Sequence, residues 1–167
     1  MAAIHWEMVV TRRQGVTRLT VRGPETRATI SANPEDAEFF GIEFSLDAFM
    51  PILPPRQLLD GALTFPSATA TSFWLDGWAW EVPGPDNADV FVDRLVRAGL
   101  LIRDPIASAA LEGDVTGLSP RSVQRRVARA TGLTRGAIRQ MRPAVSAALS
   151  LLGALSLGFR DCPRPEA

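Results

Sequence analysis

Covalent and acid–base chemistry have little to work with in this chain, which holds one histidine, His5, and one cysteine, Cys162, among 167 residues. A catalytic site needs a nucleophile beside a base, or a cluster of metal ligands. One His excludes a cupin-type cluster of histidine ligands by count, and a Ser nucleophile has no histidine partner. Glu7, Glu38 and Glu43 could meet across a sheet, although exposed strand carboxylates ordinarily only solubilise. No catalytic residue, no metal and no cofactor is expected. Cys162 has no second Cys to pair with, which fits a reducing, cytoplasmic location. MAAIHWEMVV lacks the basic start and apolar core of a signal peptide.

Arginine is abundant, and it is unevenly placed. Up to Asp114, nine Arg face sixteen Asp plus Glu, whereas from Val115 onward nine Arg face only Asp161 and Glu166. An acidic body with a basic end is a footprint of nucleic-acid binding, and a solvated charged face gives the same imbalance. The informative stretch is Ser119 to Thr131. On a helix turning about 100° per residue, Val123, Val127 and Ala130 share one face and suit packing against a preceding helix. Arg121, Gln124, Arg125 and Ala128 lie broadly opposite, with Ser122 and Arg129 at the flanks. Arg can bond bidentately to guanine and Gln to adenine, so Arg121, Gln124 and Arg125 are the candidates for reading bases in double-stranded DNA. Ser119, Arg126, Arg129, Arg135 and Arg139 are placed to grip phosphates and set register. The competing interpretation is a solvated basic helix that closes a small helical domain.

The elements that would position these residues follow from local signals. Asp104-Pro105 and Ser119-Pro120 each place a cap before a Pro at the first helical position, and Gly113 and Gly132 supply the stops. Two helices separated by a short turn make a helix-turn-helix, over 101–142. Thr134 can cap a further helix through Ile138 and Met141, which Pro143 ends or kinks. Upstream, over 1–100, WEMVVTR, VTRLTVRG, TRATISA and AEFFGIEF read as about four short antiparallel strands. The Pro-rich stretch from Phe49 limits helix to a turn or two near Arg56 to Gly61. SFWLDGWAWEV is expected to be an amphipathic helix burying Phe73, Trp74, Trp78 and Val82, followed by a helix over Ala88 to Leu100 burying Phe91, Val92, Leu95 and Val96. The tail, 143–167, is apolar and ends in prolines. Its run Ala144 to Leu157 falls short of the roughly 20 residues that span a bilayer, so no membrane partner is expected. The fold class is α+β: a small N-terminal antiparallel β-rich unit, then a helical region.

The string GLSPRSVQRRVARATGLTRGAIRQM resembles the first recognition helix and following helix of AraC/XylS-type transcription regulators. The matching positions are Ser119, Arg121, Val123, Gln124, Arg125, Val127, Thr131, Gly132 and Leu133. In that family the residues matching Arg121, Gln124 and Arg125 lie in the major groove. FFGIEFSLDAFMPILPPRQLLDGALTF is similar to the sensing or oligomerisation regions of such regulators, often built on a partial cupin-like barrel, which implies a small-molecule effector and a homodimer as partners. The family continues into a second helix-turn-helix, whereas this chain runs on as RPAVSAALSLLGALSLGFRDCPRPEA and reads as truncated near Met141. A truncated regulator that dimerises or binds an effector without holding DNA tightly is the alternative.

Overall fold

The alternating N-terminal segment forms three long strands in a computed structural model that describes residues 5–27, 34–114 and 117–140. They are β1 (Trp6–Arg13), β2 (Val16–Arg22) and β3 (Ala37–Phe44). β1 lies between the other two, antiparallel to both, with Val10 opposite Leu19 on one side and Phe40 on the other. Trp6, Met8, Val10, Leu19 and Val21 point to one side and are buried. Period-two alternation puts them there. Gln14 and Gly15 form the β1–β2 turn with φ of 49° and 76°, the left-handed pair that a two-residue hairpin requires.

Most of TRATISA, residues 28–32 of 26–32, lies outside the described residues. The fourth strand of this sheet comes from further along. After β4 (Ala48–Phe49) and the short helix α1 (Pro55–Leu58), β5 (Ala62–Thr64) pairs with β2 and completes the order β3-β1-β2-β5.

The helix expected over SFWLDGWAWEV does not form. A three-stranded antiparallel sheet takes its place, built from β6 (Ser67–Thr69), β7 (Ser72–Leu75) and β8 (Trp78–Glu81). Asp76 and Gly77 turn the chain with φ of 51° and 77°. An Asp-Gly pair between apolar strands is a strong hairpin signal, and here it prevails over a spacing that also fits a helix. The consequence for packing is direct: Phe73, Leu75 and Trp80 are buried, while Trp78 at the tip is 74% exposed and Trp74 is on the outside.

The next helix, α2 (Ala88–Arg97), buries Phe91 and Leu95; Val92 is partly covered, and Val96, expected inside, is 53% exposed. Both sheets and α2 share one core, with Trp6 stacked on Phe44 at 4.1 Å and Trp80 edge-on to Phe91 at 6.2 Å. Then β9 (Ile102–Arg103) pairs with β4, and α3 (Pro105–Glu112) and α4 (Pro120–Thr131) follow. Residues 135–140 are helical, with Thr134 Oγ1 accepting from the Ala137 N–H at 3.1 Å. The further extent of that helix, and the apolar run in the tail, lie outside the described residues. Among the described residues no helix is long and apolar enough to cross a membrane.

A second core cluster joins the helices to the strands. Phe49 from β4 packs with Ala107 and Ala110 of α3, Val123, Val127 and Ala130 of α4, and Leu133 and Ile138 beyond it. Gly132 is the tightest point of this junction. It has φ +74°, and a Cβ there would stand 2.9 Å from the Pro55 carbonyl carbon and 3.0 Å from the Arg56 nitrogen. A substitution would meet both left-handed strain and rigid backbone. At Gly113, φ is +90° and, among the described residues and its chain neighbours aside, no atom lies within 4 Å of where a Cβ would stand. Gly113→Ala should therefore cost about 1 kcal/mol and Gly132→Ala about 2–4 kcal/mol, read as shifts of the urea unfolding midpoint. Equal shifts would show that the contact with α1 gives way easily.

Candidate nucleic-acid interface

α3 is held at its start by Asp104, whose Oδ1 accepts from the Ile106 and Ala107 N–H groups at 3.0 and 3.1 Å. Its end is Gly113, whose N–H donates to the Ala109 carbonyl. α4 begins in the same way: Ser119 Oγ accepts from the Ser122 N–H at 3.2 Å, and Pro120 occupies the first turn. Both caps satisfy N–H groups that a helix start leaves without partners. The chain thus folds two short helices from local signals, with residues 113–119 between them.

α4 packs on α3, α1 and β4. Its buried residues are Val123, Val127, Ala130 and Thr131. Thr131 is satisfied inside: its Oγ1 donates to the Val127 carbonyl at 2.7 Å and accepts from the Leu133 N–H at 3.0 Å. Thr131, Gly132 and Leu133 therefore each hold the end of α4 in a different way, through a buried hydroxyl bridge, a tight backbone approach and a core side chain.

The opposite face belongs to solvent. Arg121, Gln124 and Arg125 are all exposed. Among the described residues, no acid lies within ion-pair distance of Arg121 or Arg125. The structure thus brings the three expected base readers onto one accessible surface. The expected phosphate-gripping residues are more dispersed. Ser119 is exposed but its hydroxyl caps α4, and it also lies 3.0 Å from the Ser122 hydroxyl. Arg126 is half-exposed and donates from Nη1 to Asp104 Oδ2 at 3.4 Å. The Arg129 guanidinium sits over the Phe49 ring, 5.9 Å from its centroid, where a cation is attracted to the ring face. Arg135 and Arg139 are exposed and line an open cleft of about 420 Å³ with Leu111 and Glu112 of α3.

Several partners of this surface have no local signal in the sequence. Asp104 and Arg126 are 22 residues apart, and Phe49 is remote from Arg129. Arg56, exposed on α1, reaches the end of α4 through its backbone contact with Gly132. Asp47 ties the start of α3 to the strands: its carbonyl accepts from the Asp104 N–H at 2.9 Å, and its Oδ2 accepts from Arg103 Nε at 2.6 Å. Burial alone would raise the Asp47 pKa; hydrogen bonds from Ser45 and Arg103, with the charge of Arg103, outweigh it and leave that pKa lowered. Asp60 is lowered as well, by hydrogen bonds from the Thr26 hydroxyl and backbone N–H.

The acidic residues of the first sheet divide into two places. Glu7 faces Glu43 across β1 and β3, and His5 Nε2 lies 3.4 Å from Glu43 Oε1, so that these three could converge on a cation. Glu7 already has Arg22 beside it at 3.5 Å, a positive charge that a divalent ion would have to displace or tolerate. Glu38 lies opposite Arg12, five residues further along β1 from Glu7, and is not part of the group.

No family model, no curated protein and no solved structure matches this chain.

Because the Asp47 pKa is lower in the folded chain than in the unfolded one, its contribution to stability is complete above the unfolded value, about 3.9, and is lost as pH falls through the folded value. Asp47→Asn should lower stability at pH 7 by about 1–2 kcal/mol, the weak end of a charged hydrogen bond because Arg103 is mostly solvated. The gap between variant and parent should narrow below about pH 4, as followed by urea unfolding at several pH values. A gap that stays constant to pH 3 would remove the Asp47–Arg103 charge pair as its source.

Proposed function

We propose that α3 and α4 form a helix-turn-helix that reads double-stranded DNA, and that the chain is a transcription regulator of the AraC/XylS type acting in the cytoplasm. The observation that carries this reading is the division of α4 into two faces. Its apolar side is buried, and Arg121, Gln124 and Arg125 stand together on the other side without acidic partners among the described residues. A helix of this diameter fits the major groove, and guanidinium and amide groups there can distinguish guanine and adenine edges. Arg135, Arg139 and Arg126 extend the positive surface toward the phosphates, which supply affinity without sequence information.

In this reading the paired sheets are a partial cupin-like unit for sensing or self-association, supported by the single core they share. An effector would bind at open clefts or displace α1, because the apolar space beneath α1, lined by Trp6, Val21, Phe49 and Leu58, is only about 10 Å³. That volume is close to one water-sized probe. A homodimer would place two α4 helices on one site, at a spacing set by the dimer.

The test is binding of the purified protein to a fluorescent DNA fragment from its own upstream region, over a salt series and against random competitor. Specific binding that weakens with salt is expected; no binding at low salt would leave a dimerising or effector-binding module as the function. Arg125→Ala should lower discrimination at one base pair by about 1–3 kcal/mol. Arg139→Ala should weaken binding to specific and random DNA alike, with a salt slope smaller by about 0.9. Equal losses on both DNAs from both variants would remove base reading from Arg125.

A further inference from the structure

We infer that Asp104 is a positioning residue for DNA binding, which holds Arg126 at the edge of α4 so that its guanidinium meets a phosphate. The inference rests on the helix-turn-helix reading above. Asp104 is 8% exposed, and its two carboxylate oxygens have separate partners. Oδ1 accepts the two N–H groups that open α3, while Oδ2 accepts from Arg126 Nη1 at 3.4 Å. The carboxylate is itself anchored, since the Asp104 N–H donates to the Asp47 carbonyl in the segment leading into β4. A continuous line of contacts therefore runs from the strands through Asp104 to the side of α4.

Arg126 stands between two environments. One residue before it, Arg125 is exposed on the outward face; one residue after it, Val127 is fully buried. A side chain at that boundary flanks the groove-facing surface, where the DNA backbone passes. A guanidinium carries five N–H donors in a fixed fork. The contact with Asp104 leaves others for a phosphate, and it narrows the conformational freedom that DNA would otherwise have to restrict. The two backbone N–H groups on Oδ1 offset part of the carboxylate's negative charge, which moderates its repulsion of the phosphate.

Asp104→Asn separates positioning from folding, because Asn is as good a helix cap as Asp but offers no charge to Arg126. The parent, Asp104→Asn, Arg126→Ala and the double variant would be compared in DNA binding over a salt series and in thermal unfolding without DNA. Asp104→Asn should weaken binding to specific and random DNA alike by about 3–10-fold, and reduce the salt slope by about 0.9, as loss of one phosphate contact does. It should add no loss to Arg126→Ala, and the free proteins should show nonadditive melting shifts that report the pair. Asp104→Asn binding as tightly as the parent, or more tightly, would overturn the proposal, as would an equal loss in the Arg126→Ala background. Additive melting shifts together with salt-dependent binding by the parent would sink this proposal alone. No binding by the parent at low salt, with the melting shifts still nonadditive, would instead sink the helix-turn-helix reading and this inference with it.

Discussion

The packing of Phe49 against α3 and α4 governs where every cationic side chain of α4 can go. Phe49 is buried with Val123, Val127 and Ala130, and its strand is fixed in turn by pairing with β9, which leads straight into α3. A helix buried along one side has its remaining directions settled: with Val123 and Val127 inside, Arg121 and Arg125 must face out. Gly132 completes the arrangement by letting the end of α4 touch the backbone of α1. Dense packing of this kind leaves little freedom for α4 to rotate independently of the sheets.

Electrostatics then sorts arginines that composition alone makes equivalent. Arg126 is held by Asp104 and Arg129 lies over Phe49, whereas Arg121 and Arg125 have no acid beside them among the described residues. Exposed ion pairs are individually weak, but Asp104 is buried and multiply hydrogen-bonded, and that makes its contact more than a surface coincidence. The same acid that starts α3 thus also constrains α4, which couples helix capping to the charge pattern of the outward surface.

The helical end is largely legible in the sequence because its signals are local. Asp104-Pro105, Gly113, Ser119-Pro120 and Gly132 act within one turn of themselves, and each has the capping or terminating geometry that its residue type favours. The hairpin over Ser72–Glu81 escapes a reading by periodicity for a definite reason: Phe73, Trp74 and Trp78 fit a helical spacing as well as a strand, and only the Asp-Gly turn distinguishes the two. Short strands such as β4 and β9 have still less signal, since two residues show no period at all.

By itself, the sequence determined the α4 helix, its apolar face and the grouping of Arg121, Gln124 and Arg125 opposite that face, because helical periodicity and caps are properties of neighbouring residues. It also marked β1, β2 and β3 through an approximate apolar alternation rich in Val, Thr and Phe. Only the closure of the whole fold settles which Arg of α4 is engaged and which has no acid beside it among the described residues, because Asp104, Phe49 and Pro55 reach α4 or its end from distant parts of the chain. Contacts across such separations depend on how sheets and helices close around a shared core, and no local spacing encodes that closure.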